Sequence, residues 1–208
     1  SDHTQIDAWI YTAVLDKLDA VPADGALVQV HGRVEFWRRR SEVRVRAERM
    51  EAAGEGLLLA RIAELRRRLE AEGLTASARK RPLPYLPAGI GLVTAREGAA
   101  RADFLTNVRR RFPGVSIIVV NSLVQGEGAP TEIVAAIRHL DARPDVDVIV
   151  LARGGGALED LMAFNSESVC RAVATSATPI VSAVGHESDV TLCDLVCDLR
   201  VSTPTKAA

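Results

Sequence analysis

Cysteine, long apolar runs and net charge are all scarce in this chain, and each scarcity removes a class of protein. Only three cysteines occur in 208 residues, Cys170, Cys193 and Cys197. An odd count, with no basic and apolar leader at the start, argues against a disulfide framework and for a reducing compartment, so the expected location is cytoplasmic. Cys193 and Cys197 stand four apart and could share a helix face. No second Cys or His pair lies at ligand spacing, however, so the thiols read as small core residues and not as a zinc site. No apolar stretch approaches the roughly 18 residues that cross a bilayer, and no membrane association is expected. What is present is a 48% apolar composition, enough for one large core or two small ones.

The formal net charge of −1 hides an asymmetry. Residues 33–81 hold 14 Lys and Arg against 8 Asp and Glu, a local excess of +6, while the segments on either side are acidic. A polyanion-binding face would produce this, and so would a solvated helix of mixed charge.

Residues 1–50 alternate as strands do: Ile6, Ala8 and Ile10, then Val28 and Val30, Val34 and Phe36, Val43 and Val45. Pro22, Asp24 and Gly25 supply one turn, and residues 38–41 another. Arg44 and Arg46 fall on one strand face, close to Phe36-Trp37. Such a unit resembles part of an oligonucleotide-binding (OB) barrel, in which aromatics stack on bases while Arg follows phosphates; the plainer reading is that the two aromatics fill a core. Apolar positions 58, 62, 65 and 69 predict an amphipathic helix closing at Gly73, with Arg66-Arg67-Arg68 near the end its dipole favours. Residues 75–87, carrying Pro82, Pro84 and Pro87, read as a stiff linker. From Ala88 onward four nearly continuous β-branched runs, near 89–93, 115–120, 146–151 and 179–184, alternate with helical stretches. That pattern predicts a parallel sheet with right-handed crossovers. The expected fold is therefore α/β: a partial OB-like antiparallel unit over 1–50, a connecting helix and linker over 51–81, and a parallel-sheet catalytic domain over 82–208.

In such sheets ligands bind outside the carboxyl ends of the strands. Three of the four turns there are charged: residues 94–103, Arg153-Gly154-Gly155-Gly156 followed by Glu159 and Asp160, and Gly185-His186-Glu187-Ser188-Asp189. Successive glycines let backbone N–H groups curl into a nest for an anion while an arginine grips it, although a tight turn needing positive φ would also use one glycine. No Gly-Lys-Ser/Thr follows, so this is not a nucleotide P-loop. His186, just after a buried strand and three residues before Asp189, is placed for acid–base work. Asp103 falls within a helix, where a solvated surface carboxylate is the ordinary explanation.

Several motifs then follow one another in order: Gly98-Ala99-Ala100 with Asp103, residues 109–113, Val124-Gln125-Gly126, Arg153-Gly154-Gly155-Gly156 with Glu159-Asp160-Leu161, Phe164-Asn165, residues 183–187 with Asp189, and Ser202-Thr203-Pro204-Thr205. Together they resemble the large subunit of bacterial exodeoxyribonuclease VII, densely over 84–208 and more loosely over 28–74. The resemblance implies a catalytic set of Asp103, Arg153, His186 and Asp189, with Gly154, Gly155, Gly156, Arg44, Arg46 and Trp37 contacting substrate. It implies exonucleolytic hydrolysis of single-stranded DNA from both ends to oligonucleotides. No metal cofactor is required on this reading, although Asp103, Asp189 and His186 could equally hold Mg²⁺. It also implies small-subunit partners bound through a later helical region, so the chain reads as a fragment. Ala152, Ala157 and Lys206 depart from the family's usual residues, Ala157 removing one possible phosphate donor. Two other classes remain open: a single-stranded nucleic-acid-binding module without catalysis, and an enzyme acting on a small phosphorylated substrate.

Overall fold

A computed structural model describes residues 7–12, 28–37, 42–52, 55–156, 158–185 and 190–208. Ile6, the turns proposed at 22–25 and 38–41, Ala157, and the segment His186-Glu187-Ser188-Asp189 lie outside the described residues. The chain divides into two compact units, Ser1–Arg61 and Ile62–Ala208.

The first unit holds β1 (Asp7–Ile10), β2 (Val28–Trp37) and β3 (Glu42–Ala52), arranged β1-β3-β2. β2 and β3 pair antiparallel, Val28 opposite Ala52 and Trp37 opposite Glu42. β1 takes the other edge of β3 and runs parallel to it, Asp7 opposite Arg44, so the sheet is mixed and not wholly antiparallel. Alternation marks a strand and its faces but not its neighbour. The chain reverses direction twice between β1 and β3, and β3 inserts beside β1 pointing the same way.

The boundary between units falls inside α1 (Glu55–Ala71). In its second half the predicted stripe is realised: Leu65 and Leu69 are buried and Ile62 packs beside them. The helix closes as the glycine predicted. Gly73 has φ 72°, its N–H donates to Glu70 O at 2.9 Å, and Leu74 N–H donates to Leu69 O at 2.9 Å. A side chain at Gly73 would be strained in this left-handed conformation. The Arg66-Arg67-Arg68 run is spent on carboxylates: Arg66 on Glu70 at 2.7 Å, Arg67 on Glu64, and Arg68 on Glu167 at 3.0 Å.

The second unit is built on β4 (Gly89–Thr94), β5 (Ser116–Asn121), β6 (Val148–Arg153), β7 (Ile180–Val184) and β8 (Leu199–Arg200), all parallel in the order β5-β4-β6-β7-β8. β8 adds an edge strand to the four that were expected. β4 and β6 are buried along their whole length, as near-continuous apolar runs require. On one face α2 (Ala99–Arg111) and α7 (Pro204–Ala207) enclose a core around Phe104, Val108, Leu92 and Val150. On the other face α3 (Ala129–Asp141), α5 (Glu167–Thr175), α6 (Leu192–Val196) and the end of α1 enclose the larger core around Ile133, Ile137, Ile149 and Phe164. From β4 the chain steps outward to β5 and then crosses back to β6, so the topological switch lies between the carboxyl ends of β4 and β6. In doubly wound sheets a ligand crevice opens at that place. Among the described residues no helix is long and apolar enough to cross a membrane.

Residues 75–87 do not hang between the units but are strapped onto the second one. The Arg79 side chain donates to Ala174 O at 2.7 Å. Arg81 donates to Asp198 from its N–H at 2.8 Å, from Nε at 3.1 Å and from Nη2 at 2.8 Å, and also caps the carbonyls of Ser176 and Ala177. Asp198 accepts a further bond from Ile180 N–H at 2.8 Å, which ties strap, β7 and the start of β8 to one carboxylate only 5% exposed. Burial by itself would raise the Asp198 pKa, but the bonds from the Arg81 side chain and from the two N–H groups outweigh it and hold the carboxyl below its ordinary 3.8. A carboxylate of this kind confers stability above its unfolded pKa and loses it as pH falls through the folded value. Asp198→Asn is therefore expected to cost about 2–3 kcal/mol near neutrality by urea melts. The gap to the parent should close between about pH 5 and about pH 2; a gap that stays constant over that range overturns the account.

All three cysteines are buried in the larger core. Burial pushes the Cys170 and Cys197 thiols up to about 12 and raises Cys193 as well. Thiols so protonated are poor nucleophiles. Iodoacetamide at mildly alkaline pH should leave the native protein unlabelled and modify all three cysteines together in urea. Labelling of the native protein at the rate of a free thiol would contradict this packing.

Candidate active site

Each turn at the carboxyl edge of the five-stranded sheet brings a different group. After β4, Gly98 (φ 132°) precedes α2, whose first turn has neither a side-chain cap nor an acidic residue. Its leading N–H groups are thus left to attract an anion. Arg101 reaches back from that first turn and donates to Arg96 O at 2.6 Å and to Asn121 Oδ1, at the end of β5, at 3.1 Å. Asp103 follows on α2 with an exposed side chain. Its carbonyl accepts from Asn107 Nδ2 at 2.8 Å, and among the described residues its carboxylate makes no hydrogen bond or ion pair.

Arg153 is the last residue of β6, and it is buried, at 7% exposure. Nη1 donates to Gly154 O at 3.0 Å and Nη2 to Gln125 Oε1 at 3.1 Å. Asp160 Oδ2, from α4 (Leu158–Leu161), stands 3.3 Å from Nη2. The guanidinium is thereby held by its own loop, by the turn after β5 and by the helix that follows the glycines. Gly154 and Gly156 do not adopt positive φ, so a strained turn does not account for them. Gly156 is required by space: a Cβ there would lie 2.7 Å from both Nη1 and Nη2 of Arg153 and 2.8 Å from Asp160 Oδ2. Around Gly154 there is open space. Among the described residues, the N–H groups of Gly154, Gly155 and Gly156 donate to no other group, which suits an anion nest.

The turn after β7 starts at Gly185 (φ 74°). His186 and Asp189 lie outside the described residues; the described residues that follow them are held in place. On the far side Thr191 and Asp194 form a reciprocal capping box at the start of α6. Leu192 N–H donates to Oδ1 of the buried Asn165 at 2.9 Å, and Asn165 ends the 3₁₀ turn Met162–Asn165. The Phe164-Asn165 motif thus fixes the start of α6.

The substrate contacts expected on the N-terminal sheet form a separate cluster. Trp9, Glu35, Phe36, Trp37 and Arg44 line a cavity of about 530 Å³. The Arg44 guanidinium lies 4.5 Å from the Trp37 ring centre, within cation–π range. Phe36 and Trp37 are 62% and 47% exposed, so neither is a core residue. The arginines are not free cations. Arg44 pairs with Glu42 at 2.8 Å and Asp7 at 3.9 Å, and Arg46 with Glu35 at 3.0 Å and Glu48 at 3.2 Å.

The structure therefore joins Arg153 to Gly154 and Gly156, and Trp37 to Arg44, while Asp103 contacts none of the other candidates among the described residues. Gln125 and Asp160 were not expected in the site. Both stand inside recognisable motifs, and the available signal was their position in turns at the same sheet edge as Arg153.

Residues 74–208 match the family model described as exonuclease VII, large subunit. The exodeoxyribonuclease 7 large subunit of Streptomyces coelicolor is 50% identical over 198 residues, covering 95% of this chain and 49% of that protein. The Thermobifida fusca protein of the same name is 50% identical over 195 residues, covering 94% and 48%, and that of Mycobacterium tuberculosis is 53% identical over 186 residues, covering 89% and 45%. The chain spans about half the length of the curated relatives it matches. On the ordered motifs, the doubly wound sheet and these matches, the chain belongs to the exonuclease VII large-subunit family.

Proposed function

We propose that this chain forms the greater part of the catalytic and DNA-holding portion of an exodeoxyribonuclease that hydrolyses phosphodiester bonds in single-stranded DNA. In this reading cutting proceeds from both ends, releases oligonucleotides and requires a small-subunit partner. The observation that carries it is the buried Arg153 guanidinium at the switch point of the sheet, beside three glycine N–H groups uncommitted among the described residues.

Arg153 and the glycine amides are donors fixed before substrate arrives, so they can stabilise charge as it builds on the phosphate oxygens without reorganising. Water attacks phosphorus, and the bond from phosphorus to one sugar oxygen breaks. His186 serves as general acid or base, giving a proton to the departing oxygen or taking one from water, and Asp189 orients its ring. Asp103, whose carboxylate is uncommitted among the described residues, positions the water or a partner side chain. No divalent ion is needed in this scheme. In the alternative, Asp103, Asp189 and His186 hold Mg²⁺, which would supply charge neutralisation and an activated water.

End-labelled single-stranded DNA, offered in excess chelator to the full-length large subunit with its small subunit, separates the two schemes. Chelator-resistant cutting that His186→Ala lowers by about a hundredfold or more is expected, the scale of one general acid–base group. Cutting that survives the substitution removes His186 from the mechanism, and loss of parental cutting in chelator moves the carboxylates to metal ligation.

A second reading, a single-strand binding module, is favoured by the aromatic cavity of the N-terminal sheet. We propose that Trp37 stacks a base there while Arg44 faces the phosphate chain. Trp37→Ala should weaken binding of single-stranded DNA about tenfold, the scale of one lost stacking contact. The cutting rate at saturating DNA should be unchanged. Unaltered affinity would dismiss the cavity as a base site.

A further inference from the structure

Among the described residues the arginine–carboxylate pairs are of two kinds, forks to one carboxylate and single contacts at the surface such as Arg66–Glu70 and Arg68–Glu167, and Arg153 fits neither because it is buried without a fork. Three arginines present a fork to one carboxylate. Arg143 donates to both oxygens of Asp145 at 2.9 and 2.7 Å, Arg171 to both oxygens of Glu72 at 2.7 and 2.8 Å, and Arg81 to both oxygens of Asp198. Two parallel bonds to one partner make such a pair rigid and commit two of its donors to that partner. Arg153 is buried, yet it makes no fork. Nη1 and Nη2 go to single acceptors on different elements, Gly154 O and Gln125 Oε1, and among the described residues Nε meets no acceptor. Asp160 is its only carboxylate neighbour among the described residues. It approaches Nη2 from one side at 3.3 Å while remaining 42% exposed.

A buried guanidinium needs a counter-charge, and a fork would have met that need while closing the site. A single carboxylate meeting one nitrogen of the guanidinium, with Gly156 packed against both groups, neutralises the arginine and leaves donors for a second anion. α4 has only four residues, too few for Asp160 to be explained as complementing a helix dipole.

We infer that Asp160 is a positioning residue for the nuclease reaction: it holds the Arg153 guanidinium at the mouth of the glycine loop, in the orientation that meets the scissile phosphate. This rests on the reading of Arg153 as the phosphate-stabilising group. Asp160 itself touches no substrate. Because its charge repels the incoming phosphate while its contact orients the arginine, its removal affects turnover and affinity differently. Turnover falls because the arginine is no longer held, and the Michaelis constant does not rise.

The test uses full-length large subunit with its small subunit and labelled single-stranded DNA, comparing the parent, Arg153→Ala, Asp160→Ala, Asp160→Asn and the double variant Arg153→Ala/Asp160→Ala. Arg153→Ala should lower kcat by about 10²–10³-fold, the loss typical of a preorganised donor. Asp160→Ala should lower kcat about tenfold to a hundredfold, the loss typical of a misplaced catalytic group, with KM unchanged or reduced. In the Arg153→Ala background the same change should alter kcat less than about twofold, because a residue acting through the arginine has nothing left to position. Asp160→Asn keeps the side-chain shape, guarding against a folding defect, and should fall between parent and Asp160→Ala. Parental kcat in both Asp160 variants, alongside a crippled Arg153→Ala, would overturn the inference and leave the site reading intact. An Asp160 effect of equal size with or without Arg153 would also overturn it. Full activity in Arg153→Ala would instead remove the site reading on which the inference depends.

Discussion

A guanidinium removed from water at the end of a parallel strand is the constraint around which the carboxyl edge of the five-stranded sheet is organised. Arg153 is costly to bury unless every element near it contributes an acceptor, and the acceptors come from three directions: the turn after β5, the loop after β6 and the first turn of α4. That requirement accounts for Gln125 in the turn after β5. It also explains why the residue facing the guanidinium has no Cβ. The sheet order makes the arrangement possible, since the reversal between β4 and β6 opens the crevice into which these turns project.

Much of this fold could be read from the chain because the second unit is locally consistent. The buried runs around Leu92, Ile149 and Val181 are nearly continuous apolar stretches, as strands covered on both faces must be, and the helices between them carry their own periodicity. The elements that escaped are those with little local signal. β8 has only two residues, too few for any pattern. The parallel pairing of β1 with β3 depends on which strand inserts between two others, and alternation carries no information about that. The strap at 75–87 looked like a stiff linker because its prolines are visible in sequence. Its anchor, Asp198, is 117 positions away from Arg81 and is not.

The candidate site divides along the same line. Arg153 was legible because a charged residue ending an apolar strand and followed by glycines has few structural explanations. Its partners were not, since Gln125 lies 28 residues earlier and meets it only through the sheet. Asp160 looked like an ordinary acidic residue opening a helix. Phe164-Asn165 was visible as a motif, but its physical use, accepting the Leu192 N–H and so fixing the start of α6, appears only when the turn at 162–165 is set beside that helix.

The basic excess over 33–81 shows how a charge count differs from an electrostatic footprint. Arg66, Arg67 and Arg68 each face a glutamate, and Arg44 and Arg46 each face two carboxylates. Exposed pairs of this kind are worth little to stability and are screened by salt, so they do not hold the sheet together. They do lower the field that a DNA strand would encounter from these positions. What distinguishes the N-terminal sheet is therefore its exposed aromatics, Phe36 and Trp37, with Arg44 laid against the Trp37 ring, and not its count of cations. Stacking of that kind tolerates any base, and it loses less to salt than phosphate pairing does. Both properties suit the single-strand-holding role proposed for this unit.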